Sequence, residues 1–208
     1  MALHRLGCRS TKKRSDSSTA LTADTDIPPD TENSEPTSRM LSWARNSAIY
    51  RLERRMMTER QLRDAITRKA KEKFEGISPS QAKALGDFAV KFAYEIKALD
   101  DTAFAEITVR SGQRSGKSKR GLAQKLTIKG VDRQTAEAAL DETDDLVAAV
   151  VFARKRAFGP FRKVDLDEKR KTKELSAFAR NGFGFEIGAK VFAMSAEEAE
   201  DILYDAPL

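Results

Sequence analysis

Three side-chain groupings in the sequence could do chemistry: adjacent carboxylates, a glycine–lysine–serine loop and a run of cations. The carboxylates come in pairs, Asp100/Asp101, Asp144/Asp145 and Glu197/Glu198. Acid–base or metal chemistry needs such groups to converge, yet neighbours on a helix point about a third of a turn apart. All three pairs stand where a helix is expected to start. There a carboxylate accepts hydrogen bonds from free amides and faces the positive end of the dipole, so capping explains them. The loop Gly112-Gln-Arg-Ser-Gly116-Lys117-Ser118 imitates a nucleotide-binding phosphate loop. That loop needs four residues between its glycines and a strand before it. Here three residues intervene between helical flanks, so we read a flexible joint able to mould to a phosphate backbone or a partner.

Other chemistry is excluded by composition. The 208 residues include one cysteine and one histidine. Cys8 and His4 both stand at the extreme N-terminus. An internal disulfide, a cysteine zinc site, a histidine triad and an imidazole metal cluster are thereby ruled out of the fold. We expect no enzyme, no cofactor and no metal.

The cations are the informative group. Lys plus Arg exceeds Asp plus Glu for a net charge of +6. Arg110, Arg114, Lys117, Lys119, Arg120, Lys125 and Lys129 follow one another with no acid between them. Arg154, Lys155, Arg156, Arg162 and Lys163 flank a Gly159-Pro160 break, and Arg51, Arg54, Arg55, Arg60, Arg63, Arg68 and Lys69 lie on the first two expected helices. A single exposed cation usually coats a solvated helix face. An acid-free run is better read as a surface for phosphate or for an acidic protein face. The candidate binding residues are Arg110, Arg114, Lys117, Lys119, Arg120, Lys125, Lys129, Arg154, Lys155, Arg156 and Arg162. Contacts of this kind are sequence-independent and salt-sensitive.

These residues must be positioned by helices. Leu41, Ala44, Ala48, Leu52 and Met56 step by three or four, the period of one helical face. Thr58 and Gln61 have capping-box spacing and open a second helix with Leu62 and Ile66 inward. After a polar break at 71–80, a third helix is expected to bury Leu85, Phe88, Phe92, Ile96 and Leu99. A fourth follows Asp100/Asp101 with Phe104, Thr108 and Ile107 inward. Trp43 is expected in the core. Phe158 and Phe161 are expected to pack between units or to anchor a partner. Residues 1–39 differ from the rest: Pro28, Pro29 and Pro36 stand among Thr, Ser, Asp and Glu. Such a segment buries too little to offset its ordering entropy, so we expect a disordered tail with a short basic arm at 12–14. The fold class expected is all-α.

The chain also resembles itself. Thr58-Glu-Arg60-Gln-Leu62 matches Ser118-Lys-Arg120-Gly-Leu122, and Leu126-Thr-Ile-Lys129-Gly130-Val131 matches Phe178-Ala-Arg-Asn181-Gly182-Phe183. Glycine at both equivalent helix ends suits the left-handed cap. We therefore expect an elongated tandem array of three three-helix repeats at 40–98, 99–143 and 144–208, stacked to bury a shared core.

Three patterns together resemble the RecX family. They are Thr58-Glu-Arg-Gln-Leu62-Arg-Asp-Ala-Ile66-Thr-Arg-Lys69, Leu99-Asp100-Asp101-Thr-Ala-Phe104-Ala105, and Gly116 through Leu122 with Leu126 and Lys129-Gly130-Val131, followed by Asn181-Gly182-Phe183. The likeness runs from about Trp43 to Leu203. The chain departs from the family pattern at Lys97-Ala98, where Gly-Tyr usually precedes Leu-Asp-Asp, and at Ala70, where the first repeat lacks its terminal glycine. The resemblance implies a regulator of the RecA recombinase, lodged in the groove of the RecA–DNA filament and restraining ATP hydrolysis and strand exchange. It implies a cytoplasmic protein in DNA repair and the SOS response, with the recombinase filament and DNA as partners, no membrane, and a monomeric state. A free-standing helical DNA binder is the alternative.

Overall fold

The structure, a computed structural model, describes residues 35–206. The expected disordered tail and basic arm fall mainly outside the described residues. Within them every regular element is helical: α1 Ser38–Leu52, α2 Glu59–Lys73, α3 Pro79–Glu95, α4 Asp101–Arg114, α5 Lys119–Lys129, α6 Arg133–Leu140, α7 Asp145–Arg156, a 3-10 turn Gly159–Phe161, α8 Glu168–Arg180, α9 Phe185–Ala193 and α10 Ala196–Asp205. Every α-helix except α9 starts on a Ser, Thr or Asp whose side chain accepts a first-turn amide. The Thr58–Gln61 capping box forms as the spacing predicts.

Three groups of helices hold three cores. In α1–α3, Ala44, Ala48, Leu62, Ile66, Leu85 and Ala89 are buried together, with Trp43 packed edge-on to Phe74 at their margin. In α4–α6 the core is Ala105, Val109, Leu122, Leu126, Val131 and Leu140. In α7–α10 it is richer in aromatics: Phe152, Phe178 and Phe183 meet with ring centroids 5.3 to 5.9 Å apart. Phe158 and Phe161 pack against this third core, not between groups.

Three inward assignments shift, and the first is Met56, which lies beyond the end of α1 at Leu52 and is half exposed. Ile107 is half exposed, and the buried stripe of α4 is Ala105–Val109–Gly112, one residue on from Phe104–Thr108. Small residues let α5 approach: a Cβ on Gly112 would stand 2.2 Å from Leu122 Cδ2. Ile96 is likewise exposed, because α3 ends at Glu95 and Lys97 takes a left-handed φ of 54°. The Ala98 amide then bonds back to the Ala93 carbonyl, a Schellman closure that turns Ile96 outward and returns Leu99 to the core.

The groups are joined by one device used twice. The buried Thr58 hydroxyl, at the N-terminus of α2, donates to the Lys129 carbonyl at the C-terminus of α5 (2.6 Å). The buried Ser118 hydroxyl, at the N-terminus of α5, donates to the Asn181 carbonyl just past α8 (2.6 Å). Beside each bond, the second aspartate of a pair reaches back. Asp101 accepts from the Glu59 amide (2.9 Å) and Asp145 from the Lys119 amide (2.6 Å). The first aspartate of each pair, Asp100 or Asp144, caps its own helix. Helices α8, α5 and α2 thus meet C-terminus to N-terminus, with opposite dipole ends in contact. Gly130 (φ 83°) and Gly182 (φ 86°) permit the contact, since a Cβ there would strike Arg60 Cδ at 2.3 Å or Ser118 Oγ at 2.6 Å.

Candidate nucleic-acid interface

The acid-free run begins on α4 and crosses to α5 through 115–118. Gly116 (φ 70°) presses this connection onto α7, where a Cβ would stand 2.7 Å from the Phe152 amide nitrogen. From the end of α7, Lys155 Nζ donates to the Arg114 carbonyl (3.2 Å). Two cationic segments 40 residues apart in the chain are thereby brought together: Arg114, Lys117, Lys119 and Arg120 on one side, and Arg154, Lys155 and Arg156 on the other. The latter three sit on the last turn of α7, where the negative dipole end favours cations.

All seven are exposed, and among the described residues none of them forms an ion pair. Lys125 is exposed on α5, and Lys129 is half-buried where its carbonyl meets Thr58. Arg110, one turn before Arg114 on α4, lines a groove of about 840 Å³ beside Glu106, Asp141, Glu142 and Asp144. Arg162 serves the fold and not this surface. Its Nε and Nη2 donate to the two carboxylate oxygens of fully buried Glu174 at 3.0 and 2.7 Å, and its guanidinium lies over the Phe192 ring. The Gly159 amide donates to the same carboxylate (3.0 Å). Burial alone would push the Glu174 carboxyl up, but Arg162 and that amide hold it below the usual range.

Most amides of the phosphate-loop imitation are already engaged: those of Ser115 and Lys117 with the Gly112 carbonyl and that of Gly116 with the Gln113 carbonyl. Those at the start of α5 are engaged too, Lys119 with Asp145 and Gly121 with Ser118 Oγ. The joint between α2 and α5 has the opposite character. Glu59, Asp64, Asp100, Asp101 and Asp132 surround a cavity of about 740 Å³ together with Arg60 and Arg63. Burial pushes the Asp101 carboxyl up, against the Glu59 amide bond and with the carboxylates of Glu59, Asp132 and Asp100. Tyr94 donates to Glu59 Oε2 (3.1 Å), and burial and that bond push its hydroxyl up to about 12. Sequence reading missed the joints, although the Thr58/Ser118 and Gly130/Gly182 matches mark their two halves.

A helical array with coupled middle helices and one concentrated cationic face is the class of molecule these features define. Residues 100–140 match the family model described as RecX, second three-helix domain. The chain is 82% identical over 174 residues to the regulatory protein RecX of Agrobacterium fabrum, covering 84% of this chain and 95% of that one. It is 34% identical over 157 residues to the regulatory protein RecX of Myxococcus xanthus, covering 72% and 84%. The crystal structure of RecX from Lactobacillus salivarius shares the fold, with a TM-score of 0.58 at 18% identity over 79% of this chain and 99% of that one. The chain belongs to the RecX family.

Proposed function

We propose that this protein regulates a RecA recombinase by binding the recombinase–DNA filament, restraining its ATP hydrolysis and strand exchange without catalysis of its own. The observation that carries the reading is the gathering of the α4–α5 and α7 cations, exposed and without ion pairs among the described residues, where the α4–α5 connection meets the end of α7 in a RecX-family fold. We further propose that the three cores correspond to repeat units at 40–98, 99–143 and 144–208, and that the protein acts as a monomer in the cytoplasm. Successive units touching successive recombinase protomers would gain avidity, because each later contact is effectively intramolecular. The cationic face would meet DNA phosphate without reading bases.

The test is the combined variant Arg114→Gln, Lys117→Gln, Lys119→Gln and Arg120→Gln in a recombinase ATPase and strand-exchange assay. Inhibition should weaken while helicity by circular dichroism stays unchanged. Intact inhibition by the variant would remove this face from the mechanism. Tight binding to bare DNA with no effect on the recombinase would favour the free-standing DNA binder.

A further inference from the structure

The middle helices differ in how far their own acids neutralise them. On α2 three of the six cations are paired, Arg60 with Asp64, Arg63 with Glu59 and Asp87, and Lys69 with Glu72, while Arg68, Lys71 and Lys73 form no ion pair among the described residues. On α5 none is paired, among the described residues. On α8, Lys171 stands 3.7 Å from Glu168, while Lys169, Lys173 and Arg180 are exposed and form no ion pair. At 100° per residue these three lie within about 40° of one another, Lys169 and Lys173 about 6 Å apart along the axis and Arg180 about 10 Å further on. The other acid on α8, Glu174, is buried with Arg162 and leaves the stripe un-neutralised.

The second joint connects this stripe to the face already described. Ser118 bonds Asn181, the residue after Arg180, and Arg120 Cβ would stand 3.5 Å from a Cβ on Gly182. The cations of α8 therefore lead end to end into Lys119 and Arg120.

We propose that Lys169, Lys173 and Arg180 are a second phosphate-binding site, extending the α4–α5 face along α8 as a track for a nucleic-acid backbone. The inference rests on the DNA-facing reading of the α4–α5 surface. A rigid stripe of fixed charges on one helix face meets a regular polyanion, and each phosphate neutralised releases counterions.

The experiment is fluorescence anisotropy of labelled oligo-dT with the full chain, from low to moderate NaCl. In the variant Lys169→Gln, Lys173→Gln, Arg180→Gln, the slope of log affinity against log salt should become shallower by about 2, at roughly 0.7 per single-strand phosphate. A control, Arg60→Gln with Lys69→Gln, should leave the slope unchanged, and circular dichroism should show each variant folded. Wild-type binding by the α8 variant, with loss in the Arg114/Lys117/Lys119/Arg120 variant, would overturn the second site and leave the first. Wild-type binding by both would overturn the DNA reading of both. Unchanged DNA binding by the α8 variant with lost binding to DNA-free recombinase would overturn the site in favour of an acidic protein partner.

Discussion

Replacing Ser118 by alanine removes one oxygen that does two jobs. It accepts from the Gly121 amide (3.1 Å) as the cap of α5 and donates to the Asn181 carbonyl (2.6 Å) across the joint. Loss of a cap costs about 1 kcal/mol. Leaving a buried carbonyl without its donor costs roughly 1–3 kcal/mol more. The expected total is about 2–4 kcal/mol. Ser78 provides the comparison: its hydroxyl caps α3 by accepting from Gln81 (3.1 Å) and, among the described residues, otherwise meets neighbouring Ser80, so Ser78→Ala should cost about 1 kcal/mol. Urea unfolding followed by circular dichroism measures both. A weakened joint should also lower cooperativity, read as a smaller m-value, because repeat arrays unfold together only while their interfaces hold. Equal losses in the two variants, with unchanged m-values, would refute the claim that this bond couples the α5 and α8 groups.

Three other substitutions probe single features. Lys97→Gly should stabilise by about 0.5–1 kcal/mol in urea melts, since relief of the left-handed strain outweighs the added freedom of the unfolded chain. Arg162→Ala should cost about 3–5 kcal/mol by leaving a buried carboxylate unpaired. In the wild type, Glu174 has its pKa lowered by folding, so its stabilisation is complete above the ordinary glutamate pKa and is lost as pH falls through the folded value. Asp101→Asn keeps an acceptor for the Glu59 amide and removes a carboxylate whose pKa folding raises. It should raise the urea midpoint at pH 7, a gain that vanishes in acid where Asp101 is already neutral.

Helix type, the Thr58 box and the glycine ends were legible because they are local: period, capping chemistry and left-handed caps act within a few residues. The cationic run was legible as composition. Its convergence with α7 was not, because Gly116 meets Phe152 through a contact that no spacing rule describes. Arg162 was misplaced for the same reason. Its partner Glu174 stands at the helix position filled by Leu62 and Leu122 in the other groups, a substitution that invites burial only once Arg162 is beside it. The aspartate pairs were half legible. Capping was the right chemistry, but the second member of the Asp100/Asp101 and Asp144/Asp145 pairs caps a helix of the preceding group. Ile96 turned outward because Lys97 adopts the left-handed backbone that Gly130 and Gly182 take just past α5 and α8 in this chain.

The central claim is tested most directly by DNA-dependent ATP hydrolysis of the cognate RecA on saturating single-stranded DNA, titrated with this protein at moderate salt. The account predicts inhibition at amounts well below one molecule per recombinase protomer, as expected for a regulator that spans or caps a filament. An unchanged rate across the titration, with tight binding to bare DNA in the same buffer, would contradict it.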